Sequence, residues 1–363
     1  MKCELITKSP VHIYSGEYYT SAEYCNSKRK FIIKNVEKEF PTIEKVNVSK
    51  YYNSLPSDKK EELLEQLMEK NFKLDDFITS HDARKYSQYY LMGSNINHTD
   101  IKEHARTLNE TYIPGSSIKG AIETAVLNNY FEGYFNKNTH ELTKNINNLP
   151  RNRGNNIFRF LRISDTNTTK SIKNSIERTY IFKAESNGQM KYNNIVTEHI
   201  ETISKGTKLN FNINNKVDDK ILEKLGLKDK KNYININNIQ ENLYKFADEQ
   251  INAELEYIEK YNKTNNNMIK QQINNFKEFY TKLTQENSIE QPMIRIGFSG
   301  GFLNKTISLK IKENPYDYDS FINNLKHDKK TRLKIYDYEF PKTRKITSKG
   351  IPLGWTQLKI NEE

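Results

Sequence analysis

Two cysteines, Cys3 and Cys25, are all that 363 residues contain. That is too few for a disulfide framework or a cysteine-built metal centre, and it points to a reducing compartment. No segment approaches the roughly eighteen consecutive apolar residues that span a bilayer. The opening run Met1 to Ile6 carries Glu4 inside a short apolar stretch, so it reads neither as a signal peptide nor as an anchor. The expectation is a cytoplasmic protein with no membrane partner. Tryptophan occurs once, at position 355, and glycine (14) and proline (9) are sparse, so each cluster of the two stands out as punctuation. No repeat of fixed period is present, and the short runs of Asn are no low-complexity tract.

What the chain has in quantity is positive charge and aromatic rings. Lysine and arginine number 57 against 46 acids, a net charge of +11 with a pI near 9.2, which favours an acidic partner such as nucleic acid. The 23 tyrosines and 17 phenylalanines can build a core and also stack on bases. The length suits about two domains.

The most telling stretch is Tyr112 to Ala121, YIPGSSIKGA. Pro114 and Gly115 make a sharp turn, Ser116 or Ser117 is placed to cap a helix, and Ile118, Ile122, Ala125, Val126 and Tyr130 follow at helical spacing. Earlier, residues 2–14 read as a strand ending in a turn, and Phe31 to Ile33 as an extended piece reached through a polar Asn26–Lys30 connector. A helix opens at Ser57 with Leu63, Leu64, Leu67 and Met68 on one face. Ile157 to Asp165 reads as a strand with Arg178 to Ala184 as its neighbour. Gly206 to Ile213 alternates most cleanly of all, and helices are expected over 237–261 and 268–283. Met293 to Ile296 should be a strand entering a glycine-rich loop at Gly297, Gly300 and Gly301, then a short helix. Phe340 to Lys345 reads as a basic loop and Gly350 to Trp355 as a turn presenting the tryptophan.

Little of this supports chemistry. The Gly115–Gly120 segment has its lysine before the second glycine, the wrong order for a Walker loop, and Gly297-x-x-Gly300-Gly301 misses the dinucleotide spacing. Among the seven histidines, His98 and His104 share no helical face, and His81-Asp82 lacks the second His/Asp group of a metal phosphohydrolase; no metal ligand set and no cofactor are expected. His12, at a strand end, offers a base for a 2′-hydroxyl or, more simply, a core hydrogen bond. The acid pairs 61–62, 75–76 and 218–219 flank helices as dipole partners. The basic residues form the more consistent pattern: Arg151, Arg153, Arg159, Arg162, Arg295, Lys342, Arg344 and Lys345 fall beside extended or loop segments, a placement that suits a groove running along a phosphate backbone.

Taken together, YIPGSSIKGA at 112–121, Thr7 to Gly16, Leu161 to Asp165, the glycine loop 297–301, Pro341 to Arg344 and Gly350 to Trp355 resemble the RAMP superfamily, RNA-binding subunits of CRISPR effector complexes. The combination is most similar to the fifth, filament-capping subunit of the type III-A (Csm) complex. The resemblance implies an α+β class with a ferredoxin-like or RRM-like fold in two modules. These are 1–200, with a helical insertion near 48–75, and 201–363, with a helical insertion near 237–285. It implies a non-catalytic subunit that holds the 3′ part of the CRISPR RNA (crRNA), meets target RNA and the neighbouring backbone and small subunits in the assembled complex, and supports crRNA maturation by recruiting host nucleases. Ser116, Ser117, Lys119, Gly297, Gly300 and Gly301 are expected on the RNA backbone, joined by Arg162, Arg295, Lys342 and Arg344. The target-cutting subunits use an aspartate after the first strand; Ser15 to Lys30 has Glu17 and Glu23 but none. The rival reading is an endoribonuclease processing precursor RNA with His12 as base.

Overall fold

Strands β1 (Lys2–Thr7), β2 (Tyr14–Tyr19), β3 (Tyr24–Ile33), β4 (Val36–Val46), β5 (Ser87–Met92), β6 (Ile101–His104), β7 (Arg106–Thr107) and β8 (Glu110–Thr111) occupy the first part of the chain. The remainder supplies β9 (Arg162–Ile163), β10 (Asn174–Ala184), β11 (Met190–Tyr192), β12 (Glu198–Ile203), β13 (Lys208–Asn214), β14 (Met293–Arg295), β15 (Thr343–Thr347) and β16 (Trp355–Asn361). These come from a computed structural model describing residues 1–33, 36–69, 72–93, 96, 99–130, 156–170, 173–192, 197–313, 315–327 and 339–361.

The alternation before Ile213 produces β13, whose Leu209, Phe211 and Ile213 face inward while the intervening Lys and Asn stay exposed, as a half-buried strand requires. It pairs with β1, and the full order is β14-β16-β1-β13-β9. Against this sheet packs the helix Gly115–Tyr130, which buries Ile118, Ile122, Ala125 and Val126 at the expected spacing. Each such side chain contributes about 1.5–3 kcal/mol. A larger sheet runs β2-β6-β12-β10-β5-β4-β3, with β11 and β15 also paired to β10. The helices Ile236–Lys260 and Asn267–Glu286 form an antiparallel pair against it. The first spans both cores: Ile239, Leu243 and Phe246 join the first, Ile251, Tyr257 and Ile258 the second. Four short helices between Val48 and Lys85 make a third cluster around Leu63, Leu74 and the base of β3. Both sheets draw strands from either side of 200/201, since β1 lies between β13 and β16 and β10 receives β15.

Several expectations change. Asn26 to Lys30 is the middle of β3, paired with Ile43 to Glu39 of β4, because its charges have cross-strand partners: Arg29 grips buried Glu44 at 2.7 Å and lies 4.4 Å over Tyr90. Ile157 to Phe160 is a 3-10 turn that sends Ile157 and Phe158 into the core, leaving only Arg162 and Ile163 as strand. Residues 178–184 belong to the other sheet. The basic loop becomes β15 from Thr343 onward, and Trp355 is fully buried, its indole N–H 3.3 Å from Tyr280 Oη. Arg151 and Arg153 lie outside the described residues.

Candidate nucleic-acid interface

The helix Gly115–Tyr130 starts where β9 ends, and the approach is so close that a Cβ on Gly115 would sit 2.3 Å from the Ile163 carbonyl oxygen. Only glycine fits there. Its N–H donates to Asp165 Oδ1 at 2.8 Å, and Ser117 N–H donates to the Pro114 carbonyl at 2.9 Å. Asp165 therefore caps the helix, and the serines expected to do so lie in its first turn, Ser116 exposed and Ser117 half-buried. Lys119 is 4.0 Å from Glu123 and does not line the groove described below. Gly120 does line it, with open space where a Cβ would stand. A glycine inside a helix costs about 1 kcal/mol against alanine, and no neighbouring atom among the described residues demands this one.

The second wall is the loop after β14. Gly297, at φ 86°, lets Phe298 N–H donate to the His12 carbonyl at 2.9 Å; a Cβ would lie 2.3 Å from that oxygen. The loop is underpinned by an ion cluster. Glu254 takes Arg344 Nε at 2.5 Å and faces Arg295 at 3.6 Å, while Arg295 also donates to the Leu353 and Ser299 carbonyls. Both guanidiniums are buried. Arg295 and Arg344 thus do not stand on the surface as a phosphate-tracking row; they support the glycine loop and floor the cavity behind it. Gly300 abuts the Asn304 side chain, Gly301 faces open space, and the Lys342 carbonyl accepts from Tyr257 Oη at 2.8 Å. Arg162 is exposed on β9 at the sheet edge and is not among the residues lining the groove.

Between the two walls runs a groove of about 430 Å³ that brings together Ser116, Ser117, Gly120, Arg295 and Gly297 with Tyr14, Phe298, Asn304 and Lys305. Sequence reasoning placed Lys345 in its basic pattern but did not single out Tyr14, Tyr18, Phe298 or Lys102 as site residues. Tyr14 and Tyr18 are 38% and 45% exposed with rings 5.5 Å apart, and Phe298 is half-buried. Lys102 and Lys345 lie 4.3 and 4.2 Å over the Phe298 ring and share Glu198. The signal available was a tyrosine pair on a strand directly after His12, beside a run already noted as basic.

His12 sits beneath this surface, 1% exposed, with Nδ1 2.6 Å from the Glu201 carbonyl oxygen, which assigns the proton to Nδ1. Burial first, then the nearby charges of Lys102 and Lys345, lowers its pKa to about 4. His104, with its ring centroid 5.8 Å away, is driven to about 3 by burial and by His12. The ring is thus enclosed in the core and held there by its Nδ1 hydrogen bond, while Nε2 has no partner among the described residues. His81-Asp82 is a capping arrangement: Asp82 N–H and Oδ2 both bond Thr79 Oγ1, at 3.1 and 2.9 Å. Glu23 closes a turn with Thr20 and pairs Lys45 at 2.5 Å. Among the described residues no three His, Cys, Asp or Glu side chains cluster as a metal would need, and no helix is long and apolar enough to cross a membrane.

Comparison with known proteins agrees with this architecture. The chain is 27% identical to the CRISPR system Cms protein Csm5 of Methanocaldococcus jannaschii, covering 100% of this chain and 89% of that one. It is 24% identical to the Csm5 of Streptococcus thermophilus over 70% of this chain and 75% of that protein. Its fold superposes with a TM-score of 0.66, at 19% identity, on a chain of the type III-A Csm–crRNA–target RNA ternary complex, covering 99% and 100% of the two chains. The crystal structure of T. onnurineus Csm5 gives 0.62 at 18% identity, covering 97% and 99%. The family model of the RAMP superfamily matches residues 4–339. With that match running through both sheets and both walls of the groove, the chain belongs to the RAMP superfamily.

Proposed function

We propose that this chain is the crRNA-binding subunit that caps the backbone filament of a type III-A Csm complex at the crRNA 3′ end, and that it binds without cutting. The observation that carries the reading is the meeting, at one groove, of the 115–120 helix start and the 297–301 loop, 180 residues apart in sequence, beside exposed Tyr14 and Tyr18 and half-buried Phe298. Small residues on the walls let a sugar–phosphate backbone approach, Ser116 and Ser117 supply hydroxyl donors, and the rings offer stacking faces to unpaired bases. Lys119, Arg162 and Lys342 lie off the groove and serve the longer-range field that draws RNA in. The full-length likeness to Csm5 proteins supports the complex as the setting, with target RNA and the adjoining backbone and small subunits as partners. Support for crRNA maturation runs through recruited host nucleases, since the chain's own candidate base is buried.

The test is ultraviolet crosslinking of the assembled complex with labelled crRNA. RNA adducts are expected on peptides covering 112–120 and 295–302 and on Tyr14 or Tyr18. Adducts confined elsewhere would reduce the chain to a protein-interaction cap. Affinity for single-stranded RNA should also fall with salt by about 0.7 log units per log unit for each phosphate contacted, and should depend little on spacer sequence.

A further inference from the structure

Behind Phe298, opposite the groove, lies a second cavity of about 240 Å³ floored by Arg295, Arg344 and Glu254 and edged by Ser299, Gly301 and Lys345. Its charges do not balance. Around the Phe298 ring and the loop beneath it, four cations, Lys102, Arg295, Arg344 and Lys345, share two carboxylates, Glu198 and Glu254. Arg295 and Arg344 are 5% and 8% exposed, so the surplus is held largely out of water, where an unmatched charge is costly. A second observation is independent of charge. Ser299, 8% exposed, lines the same cavity, and its Oγ has no hydrogen-bond partner although its carbonyl is engaged by Arg295. Buried hydroxyls are normally satisfied. Gly301, at φ 68°, leaves open space at the mouth.

We propose that this cavity binds a single phosphate group of the RNA lying in the adjoining groove, with Arg344, Arg295 and Lys345 supplying charge and Ser299 Oγ–H donating a hydrogen bond. The proposal rests on the RNA reading above. A phosphate here neutralises the surplus, satisfies the serine and fixes the strand's position along the groove, while Phe298, which lines both cavities and carries Lys102 and Lys345 over its ring, marks the boundary between them. The phosphate is either an internal diester or a terminal group, and the same chemistry serves both.

The experiment titrates the full chain with inorganic phosphate at ionic strength held constant with chloride. The His12 ring proton is followed by NMR, and affinity for a single-stranded RNA by fluorescence anisotropy. His12 is a reporter because its ring centroid lies 5.4 Å from Phe298 and it senses Lys102 and Lys345. A saturable shift of the His12 signal is expected, with RNA displaced beyond the chloride control. Ser299→Ala should weaken phosphate about fivefold, the loss of one hydrogen bond; Lys345→Gln, which leaves Glu198 paired with Lys102, should weaken it similarly should the serine variant not fold. RNA bearing a 3′-phosphate is compared with the same RNA ending in a hydroxyl. Tighter binding of the former, abolished by Ser299→Ala, assigns the terminal group; equal binding with both displaced by phosphate assigns an internal diester. An unmoved His12 signal with no displacement beyond chloride overturns the anion pocket, and RNA affinity that still falls in Tyr14→Ala leaves the RNA reading standing. Phosphate binding by a chain that binds no RNA overturns the RNA origin instead.

Discussion

Two buried glutamates, Glu201 and Glu254, anchor the site from opposite sides, and their charge balance differs. Glu201 holds Arg106 and the Tyr19 hydroxyl, accepts His104 N–H at 2.9 Å, and has a second acid close by, since Glu103 lies 3.0 Å from Arg106 Nε. One guanidinium, stacked 3.7 Å over Tyr89, serves two carboxylates and knits β2, β6 and β12 together. At Glu254 the ratio inverts: one carboxylate serves two guanidiniums, joining the Ile236–Lys260 helix to β14 and β15. The first arrangement repels an anion and acts as a structural rivet. The second is structural too, but it leaves positive charge beneath a loop that borders open space. Burying an ion pair is thus not one device here: the excess sign decides whether the cluster only holds the fold or also attracts a ligand.

Breaking each cluster at its cation gives the largest contrast. Arg106→Leu strands Glu201 in the core and should cost about 3–5 kcal/mol in urea unfolding. Arg344→Leu leaves Glu254 still facing Arg295 and should cost less, on the order of 1–3 kcal/mol. Its main effect should be on RNA affinity. Equal stability losses, or an RNA defect in Arg106→Leu alone, would erase the distinction. Next in size is the response to acid near the first cluster. His12 and His104 have folded pKa values of about 4 and about 3, below the ordinary 6.5. Between those values and 6.5 the unfolded chain binds more protons, so stability is lost as pH falls through that window, on the order of 2 kcal/mol per ring by pH 5. Urea midpoints at pH 7.5 and pH 5 measure this, and a flat profile would mean that the rings are hydrated.

The same contrast explains what the sequence revealed. Period-2 and helical spacing located β13, the Gly115–Tyr130 helix and the two long helices, because apolar side chains recurring on one face have to be buried together. The Pro114-Gly115 turn and the Gly297 loop were also legible, since a φ near 86° or a Cβ-free approach leaves few residue choices. Their meeting at one groove was expected only through family resemblance. What misled was charge. Arg295 and Arg344 read as surface cations because nothing local announces Glu254, 41 residues before one and 90 before the other. Arg29 disguised a strand as a connector, its partner Glu44 lying across β4. Trp355 read as exposed because its core neighbour Tyr280 is 75 residues away. Long-range ion pairs and ring contacts carry no periodicity, so composition cannot tell a buried arginine from a solvated one.

The smaller predictions sharpen the contrast at the surface. Phe298→Ala removes the ring that divides the two cavities and should weaken RNA binding by about 1–3 kcal/mol, the range for one base stacked on an aromatic side chain. Stability should fall by less than the roughly 3–5 kcal/mol of a core Phe→Ala change, because the ring is half-buried although it packs on His12, Lys102 and Lys345; anisotropy and thermal melting on one preparation separate the two effects. Lys119→Ala should do least. Its partner Glu123 is 4.0 Å away on the same helix, a spacing worth under about 1 kcal/mol at a surface, and Lys119 does not line the groove. The substitution should lower affinity uniformly across RNA sequences and leave stability unchanged. A salt slope shallower by about 0.7 would mean that Lys119 meets a phosphate directly. An unchanged slope would confine it to steering, visible only as a slower association rate.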